Sequence, residues 1–126
     1  MIFHLAIPVQ NLKEACNFYN ELGAKTGRVY KTHVVLDFFD TQLVVHCSDM
    51  WDRSPKIYPR HFGIILDAKV QLDLLWHKFK NRAYVFEELF QRNAGKPEEH
   101  WTFFLKDPSN NLVEFKWYKN ESSILT

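Results

Sequence analysis

The sequence predicts an α+β protein made of two similar halves, each reading strand, helix and then about three strands. Three observations predict this class. An apolar run that begins with a histidine occurs at His4 and again at His61, 57 positions later. A helical pattern follows each run, and strand-like segments follow each helical pattern. The length of 126 residues fits a single domain.

In the first half, the strand-like run at residues 4–9 is followed by apolar residues at 12, 15, 16, 19 and 22, the spacing of a helix. Asn11 and Glu14 resemble a capping box, so we expect the helix to begin there, and Gly23 is suited to its end. Strands are predicted at residues 24–30, 34–39 and 42–47, with a tight turn at Asp40-Thr41.

In the second half, the run at residues 61–66 precedes a helical pattern formed by Leu72, Leu75, Trp76 and Phe79. Strands are predicted at residues 85–91, 100–105 and 111–117, and a turn at residues 107–110 makes the last two a hairpin. We therefore expect one domain over residues 1–126: module one at about 1–50, a connector at about 48–60, module two at about 61–119, and a frayed tail at 120–126.

Composition excludes several classes of function. The formal net charge is +1, from 16 basic and 15 acidic residues, and no basic patch is visible, so we expect no nucleic-acid partner. No apolar run approaches the ~18 residues of a membrane span, and the start lacks a signal-peptide pattern. We expect a cytoplasmic protein whose two cysteines, Cys16 and Cys47, stay reduced.

Four side chains that can bind a metal stand at related positions of the two halves. His4 and His61 begin the first strand of their halves, and His46 and Glu114 follow similar apolar runs in the last strands. We therefore expect His46 and Glu114 to be equivalent positions. Taken alone, His4 or His61 is typical of a hydrogen-bonded core histidine, so the metal hypothesis depends on their combination with Glu114.

The surroundings of these residues support a metal site. An ionised Glu114 between Val113 and Phe115 is costly to bury without a partner, and a cation would offset that cost. Ala6 and Gly63 each lie two residues after a histidine on the same strand face, where their small size leaves room. Imidazole and carboxylate ligands suit Fe(II), Mn, Ni or Zn.

Several strings carry a family resemblance that extends over nearly the whole chain: Phe3-His4-Leu5-Ala6-Ile7-Pro8-Val9, Asn17-Phe18-Tyr19, Arg60-His61-Phe62-Gly63 and Asp107-Pro108-Ser109-Asn110-Asn111-Leu112-Val113-Glu114-Phe115. In these the chain resembles the vicinal oxygen chelate superfamily, which includes glyoxalases I, type I extradiol dioxygenases and bleomycin-resistance proteins. The strings Gln42-Leu43-Val44-Val45-His46 and Glu114-Phe115-Lys116 are similar to those of small predicted extradiol-type dioxygenases in particular.

The resemblance implies two βαβββ modules forming a curved mixed sheet around a metal cleft, and a homodimer. It implies a divalent metal, first of all Fe(II), bound by His4, His61 and Glu114, and ring cleavage of a small vicinal-diol or catecholic substrate. His46 is then a fourth ligand, an acid/base residue or a structural residue. Glyoxalases usually have Glu at that position, so His46 disfavours their reaction. The family hairpin string Asp-Pro-Ser-Gly-Asn has Asn110 in place of Gly, and Asn tolerates the same left-handed conformation.

Two other readings stay open: a glyoxalase-like isomerase or lyase, and a small-molecule-binding protein of the bleomycin-resistance kind without turnover. We expect His46 and His100 as candidate catalytic residues, although His100 also suits a surface or edge position. Arg60 and Lys116 are candidates for attracting an anionic substrate, with ordinary surface charge as the alternative.

Overall fold

The computed structural model describes all 126 residues and confirms the α+β class with two βαβββ modules. The first module contains β1 (His4–Val9), α1 (Leu12–Glu21), β2 (Lys25–Val29), β3 (His33–Phe38) and β4 (Thr41–Cys47). The second contains β5 (Phe62–Ile65), α2 (Lys69–Phe79), β6 (Val85–Arg92), β7 (His100–Lys106) and β8 (Leu112–Tyr118). Residues 120–126, expected to fray, include a short 3-10 helix, Glu121–Ser123.

Each module forms its own four-stranded mixed sheet. The strand order is β1-β4-β3-β2 in the first sheet and β5-β8-β7-β6 in the second. In both, the first strand of the module lies parallel to the last one, and the other neighbours are antiparallel. The repeat seen in the sequence is therefore a repeat of topology, and it brings the first and last strands of each module side by side.

Helix α1 begins and ends as the sequence predicts. The Asn11 side chain accepts a hydrogen bond of 2.9 Å from the backbone N–H of Glu14, and Gly23 takes a φ of +106° after the last turn. The apolar side of the helix packs on the first sheet. The buried side chains of this core include Phe18, Tyr19, Val34, Leu36, Phe38, Leu43 and Val45.

The turn between β3 and β4 differs from the prediction by one residue. Phe39 and Asp40 form it, with φ of 52° and 61°, and Thr41 is already part of β4. Two successive residues with positive φ are typical of the two-residue turns that match the twist of a hairpin. The turn was predicted one residue too late because Phe is uncommon at positive φ, so Phe39 gave no turn signal.

Contacts divide the chain into two compact units. One comprises Met1–Pro55 with Asp107–Asn111, and the other Lys56–Lys106 with Leu112–Thr126. The turn between β7 and β8 thus belongs to the first unit, where Tyr19 Oη donates a hydrogen bond of 2.8 Å to Asp107 Oδ2. Asn110 has a φ of 65°, so it adopts the left-handed conformation expected of it. Neither helix has the length and hydropathy that crossing a membrane requires.

Candidate metal and catalytic residues

His61 and Glu114 come together within the second unit. His61 directly precedes β5, and Glu114 lies on β8, the parallel neighbour of β5. Their facing atoms, His61 Nε2 and Glu114 Oε1, are 3.3 Å apart. The structure therefore places side by side two of the three metal ligands predicted from the sequence.

Glu114 is buried and has polar partners on both oxygens. Glu114 is 7% exposed. Thr102, on the neighbouring strand β7, donates a hydrogen bond of 2.6 Å from Oγ1 to Glu114 Oε2. Lys116 Nζ lies 3.5 Å from Oε1. The Lys116 side chain is only 25% exposed, so the surface-charge interpretation of this lysine does not describe its position.

A backbone contact fixes the tautomer of His61. Its Nδ1 lies 2.7 Å from the carbonyl oxygen of Ile57, which can only accept, so Nδ1 carries the proton. The ring also forms a T-shaped contact with Phe104, with centroids 5.2 Å apart. In the neutral ring, Nε2 then presents a lone pair toward the Glu114 carboxylate, an arrangement that calls for a proton or a metal ion between the two atoms.

The separation of the two atoms fits a shared ion. Two ligands that are each about 2.1 Å from a metal lie about 3.0 to 3.4 Å apart at octahedral or tetrahedral angles. The measured 3.3 Å between His61 Nε2 and Glu114 Oε1 falls in that range. A neutral nitrogen and a carboxylate oxygen are also the ligand types that Fe(II), Mn, Ni and Zn accept.

Gly63 does not have the structural role predicted for it, which was to leave room for a ligand. A Cβ at this position would lie 1.9 Å from the backbone oxygen of Glu114. Gly63 pairs directly with Glu114, so its small size serves the close approach of β8 rather than room for a ligand. The glycine thereby helps to place Glu114 beside His61.

His4 has an analogous contact in the first unit. Its Nδ1 donates to Gln42 Oε1 at 2.6 Å, and the two residues pair across the parallel strands β1 and β4. Each module therefore places a histidine at its first strand in contact with an oxygen on its last strand. The sequence alone does not mark Gln42 as a candidate, because an amide is a weak metal-ligand signal.

The strand register corrects the expected equivalence of His46 and Glu114. Ala6 pairs with Val44 and Pro8 with His46 in the first sheet, whereas Gly63 pairs with Glu114 and Ile65 with Lys116 in the second. With the 57-residue offset that relates His4 to His61, Glu114 corresponds to Val44, and His46 corresponds to Lys116. The prediction was wrong because the turns before β4 and β8 differ in length, which counting residues along the two runs ignores.

His46 and His100 occupy different surroundings. The exposed His46 ring stacks on His33, with centroids 5.0 Å apart and an interplanar angle of 9°, and His33 stacks on Tyr30. His100 is 7% exposed, its Nδ1 donates to the Glu98 carbonyl at 2.9 Å, and its ring packs on Tyr118. Burial excludes the surface position considered for His100, and a catalytic role for either histidine stays a prediction.

Neither unit alone gathers three or more His, Cys, Asp or Glu side chains in an arrangement that would hold a metal ion. The predicted set of His4, His61 and Glu114 draws on both units, so it stays a prediction. Thr102, which bonds Glu114, was missed altogether. A threonine is so common in strands that it gives no signal of its own.

Comparisons with known proteins agree with this fold. The model of the Glyoxalase/Bleomycin resistance protein/Dioxygenase superfamily matches residues 1–115. A glyoxalase/bleomycin resistance protein/dioxygenase from Alicyclobacillus acidocaldarius is 48% identical, with a TM-score of 0.91 over 98% of this chain and 96% of that one. No curated protein matches the sequence.

Two more distant structures show the same fold. A lactoylglutathione lyase from Agrobacterium tumefaciens is 20% identical, with a TM-score of 0.71 over 93% of this chain and 92% of that one. A fosfomycin resistance protein from Listeria monocytogenes is 14% identical, with a TM-score of 0.76 over 98% of both chains. Because the family model covers most of the chain and the Alicyclobacillus structure matches nearly all of it, this protein belongs to the glyoxalase/bleomycin resistance protein/dioxygenase superfamily.

Proposed function

We propose that this protein is a metal-dependent dioxygenase of the extradiol type, acting on a small vicinal ring diol. The observation that carries the proposal is the 3.3 Å separation of His61 Nε2 and Glu114 Oε1. A divalent metal, first of all Fe(II), would be held by these atoms together with His4. When bound, the metal supplies positions for the diol oxygens and dioxygen and lowers the pKa of a substrate hydroxyl.

The chain's own residues would orient and tune this site. Thr102 holds one Glu114 oxygen, so the other is directed at His61. The Ile57 carbonyl keeps the proton on His61 Nδ1 and leaves Nε2 for the metal. His46, stacked against His33, would serve as the acid/base residue that moves a substrate proton.

The strand register favours this reaction over the glyoxalase-like one. A glyoxalase-like site uses a fourth ligand from the first module, and the residue that corresponds to Glu114 there is Val44, which cannot bind a metal. Three protein ligands leave room for both a diol and dioxygen, as ring cleavage needs.

One contact favours the alternative, a glyoxalase-like isomerase or lyase. Gln42 Oε1 lies 2.6 Å from His4 Nδ1, so an amide oxygen stands beside a predicted metal ligand in the first module. If Gln42 bound the metal, four protein ligands would surround it. A crystal structure of the Zn(II)-loaded protein separates the readings. Gln42 Oε1 within about 2.2 Å of the metal would make it a ligand, and Gln42 Oε1 still bonded to His4 Nδ1 would make it only a neighbour of a ligand.

The test is oxygen uptake by protein loaded anaerobically with Fe(II) and mixed with a panel of catechols. We expect uptake with at least one ring diol, and its loss in His61→Ala and Glu114→Gln. The matched controls are His77→Ala and Glu88→Gln, which change exposed residues. Fe(II)-loaded protein that consumes no oxygen with any ring diol would refute the proposal.

A further inference from the structure

Lys116 occupies an unusual position for a lysine. Its ammonium lies 3.5 Å from Glu114 Oε1, the oxygen that also faces His61, and 5.4 Å from the centre of the Tyr118 ring. Lys116 and Thr102 pair across β8 and β7, so two of the three side chains that contact the Glu114 carboxylate come from adjacent positions of one sheet, and the third is His61.

The contact between Lys116 and Glu114 is loose. A charge-assisted hydrogen bond between an ammonium and a carboxylate is usually about 2.7 to 2.9 Å long. At 3.5 Å, the lysine neutralises the carboxylate without a close bond. Its flexible side chain can therefore move to another partner while Thr102 keeps Glu114 in place.

Charge balance indicates what that partner is. Without a metal, Lys116 and Glu114 cancel. A doubly positive ion held by Glu114 and neutral histidines leaves one positive charge, which a ring diol bound as a monoanion cancels. The Lys116 ammonium then has no anionic partner. Its side chain is only 25% exposed, and an unpaired charge in such a position is costly.

We propose that Lys116 exchanges Glu114 for a negatively charged substituent of the substrate when the metal binds. This inference rests on the proposed function and narrows its substrate class to vicinal ring diols that carry a carboxylate. The residue determines specificity: it recognises the substituent, and the metal ligands recognise the diol.

The test compares two matched ligands, 3,4-dihydroxybenzoate and its neutral analogue 3,4-dihydroxybenzamide, by calorimetry on protein loaded with Zn(II), which supports no oxygen chemistry. We expect the wild type to bind the benzoate about tenfold more tightly, the factor typical of one charged hydrogen bond. Lys116→Met abolishes the preference, and Lys116→Arg keeps most of it. Lys119→Met is the control, because Lys119 pairs with Glu99 and its side chain is 66% exposed.

Zinc titration without the diol gives a second readout. Lys116→Met raises the affinity for Zn(II) severalfold, because the competing cation at Glu114 is gone. Equal binding of both ligands by the wild type, or an unchanged preference in a folded Lys116→Met protein, overturns the inference. The wild-type comparison decides the matter even if the variants do not fold.

Failure of the two proposals is distinguishable. Protein that binds metal and prefers the benzoate but consumes no oxygen with Fe(II) refutes the dioxygenase and keeps the role of Lys116. Oxygen uptake without any preference for the carboxylate supports the dioxygenase and refutes the role of Lys116. Protein that binds no Zn(II) or Fe(II) refutes both.

Discussion

Thr102 Oγ1 donates a hydrogen bond of 2.6 Å to Glu114 Oε2 between two buried side chains on adjacent strands. This bond leaves Oε1 as the oxygen that faces His61. Partners of this kind orient metal ligands, and their loss typically weakens metal binding about 10- to 100-fold.

Thr102→Val keeps the shape of the side chain and removes the hydroxyl. We expect a loss of about tenfold or more in Zn(II) affinity, measured by calorimetry. Thr26→Val is the control, since Thr26 is exposed and its hydroxyl bonds Asn20. Unchanged metal affinity in Thr102→Val would show that the carboxylate needs no such orientation.

Gly63→Ala should displace β8. The new Cβ would come within 1.9 Å of the Glu114 backbone oxygen, so the parallel strands must separate. Overpacking of this kind costs about 1 to 3 kcal/mol or more of the free energy of unfolding, measurable by urea titration. The corresponding residue of the first module, Ala6 opposite Val44, already carries a Cβ, and Ala6→Gly should cost less. Equal stability of Gly63→Ala and the wild type would contradict the close approach.

The number of metal ligands can be decided with single histidine variants. The register pairs His46 with Pro8 and relates it to Lys116, so His46→Ala should leave metal affinity within about threefold of the wild type. His4→Ala should lower it by at least tenfold, because losing a direct ligand should cost no less than losing a partner that orients one. Equal losses in the two variants would support a four-ligand site, and folding is checked by thermal denaturation.

The repeat in the sequence predicted the two modules, and the family resemblance, rather than the repeat, implied His61 and Glu114 as ligands of one metal. Apolar periodicity located every helix and strand to within a few residues, because each module buries one face of its sheet under one helix. The order of helices and strands therefore follows from local sequence patterns that occur in both halves of the chain.

The details of the site did not follow from such patterns. The equivalence of His46 with Glu114 failed because turn length shifts the register, and no composition signal reports that shift. Thr102 was missed because its role depends on which strand lies beside β8. Gly63 was assigned to the wrong purpose, since an approach between backbones leaves no trace in the sequence beyond the glycine itself.

Asp107 organises the turn between β7 and β8 through both carboxylate oxygens. Oδ1 accepts from the backbone N–H groups of Ser109 and Asn111, and Oδ2 accepts from Tyr19 Oη and Asn111 Nδ2. Asp107→Asn replaces one carboxylate oxygen with an NH2 group, which cannot accept the hydrogen bonds that this oxygen accepts. The loss should lower the free energy of unfolding by about 1 to 3 kcal/mol. The control is Asp49→Asn on an exposed residue. Equal stability in urea titrations would contradict a structural role for the carboxylate.

Tyr19 makes the folded protein less stable at alkaline pH. Burial raises the pKa of the Tyr19 hydroxyl well above its usual value of 10.0, and the neighbouring Asp107 charge adds to the effect. Above pH 10 the unfolded chain therefore loses this proton while the folded protein keeps it. Because the folded state binds more protons, its stability falls as the pH rises.

Tyr19→Phe removes this proton and the hydrogen bond to Asp107 together. At pH 7 to 9 the variant should be less stable by about 1 to 3 kcal/mol, because a buried acceptor loses its donor. As the pH rises above 10.0 the wild type loses about 1.4 kcal/mol per pH unit relative to the variant, so the two stabilities converge. Tyr30→Phe, on an exposed ring, should show no such convergence, and parallel urea midpoints for wild type and Tyr19→Phe up to pH 11.5 would contradict the buried phenol.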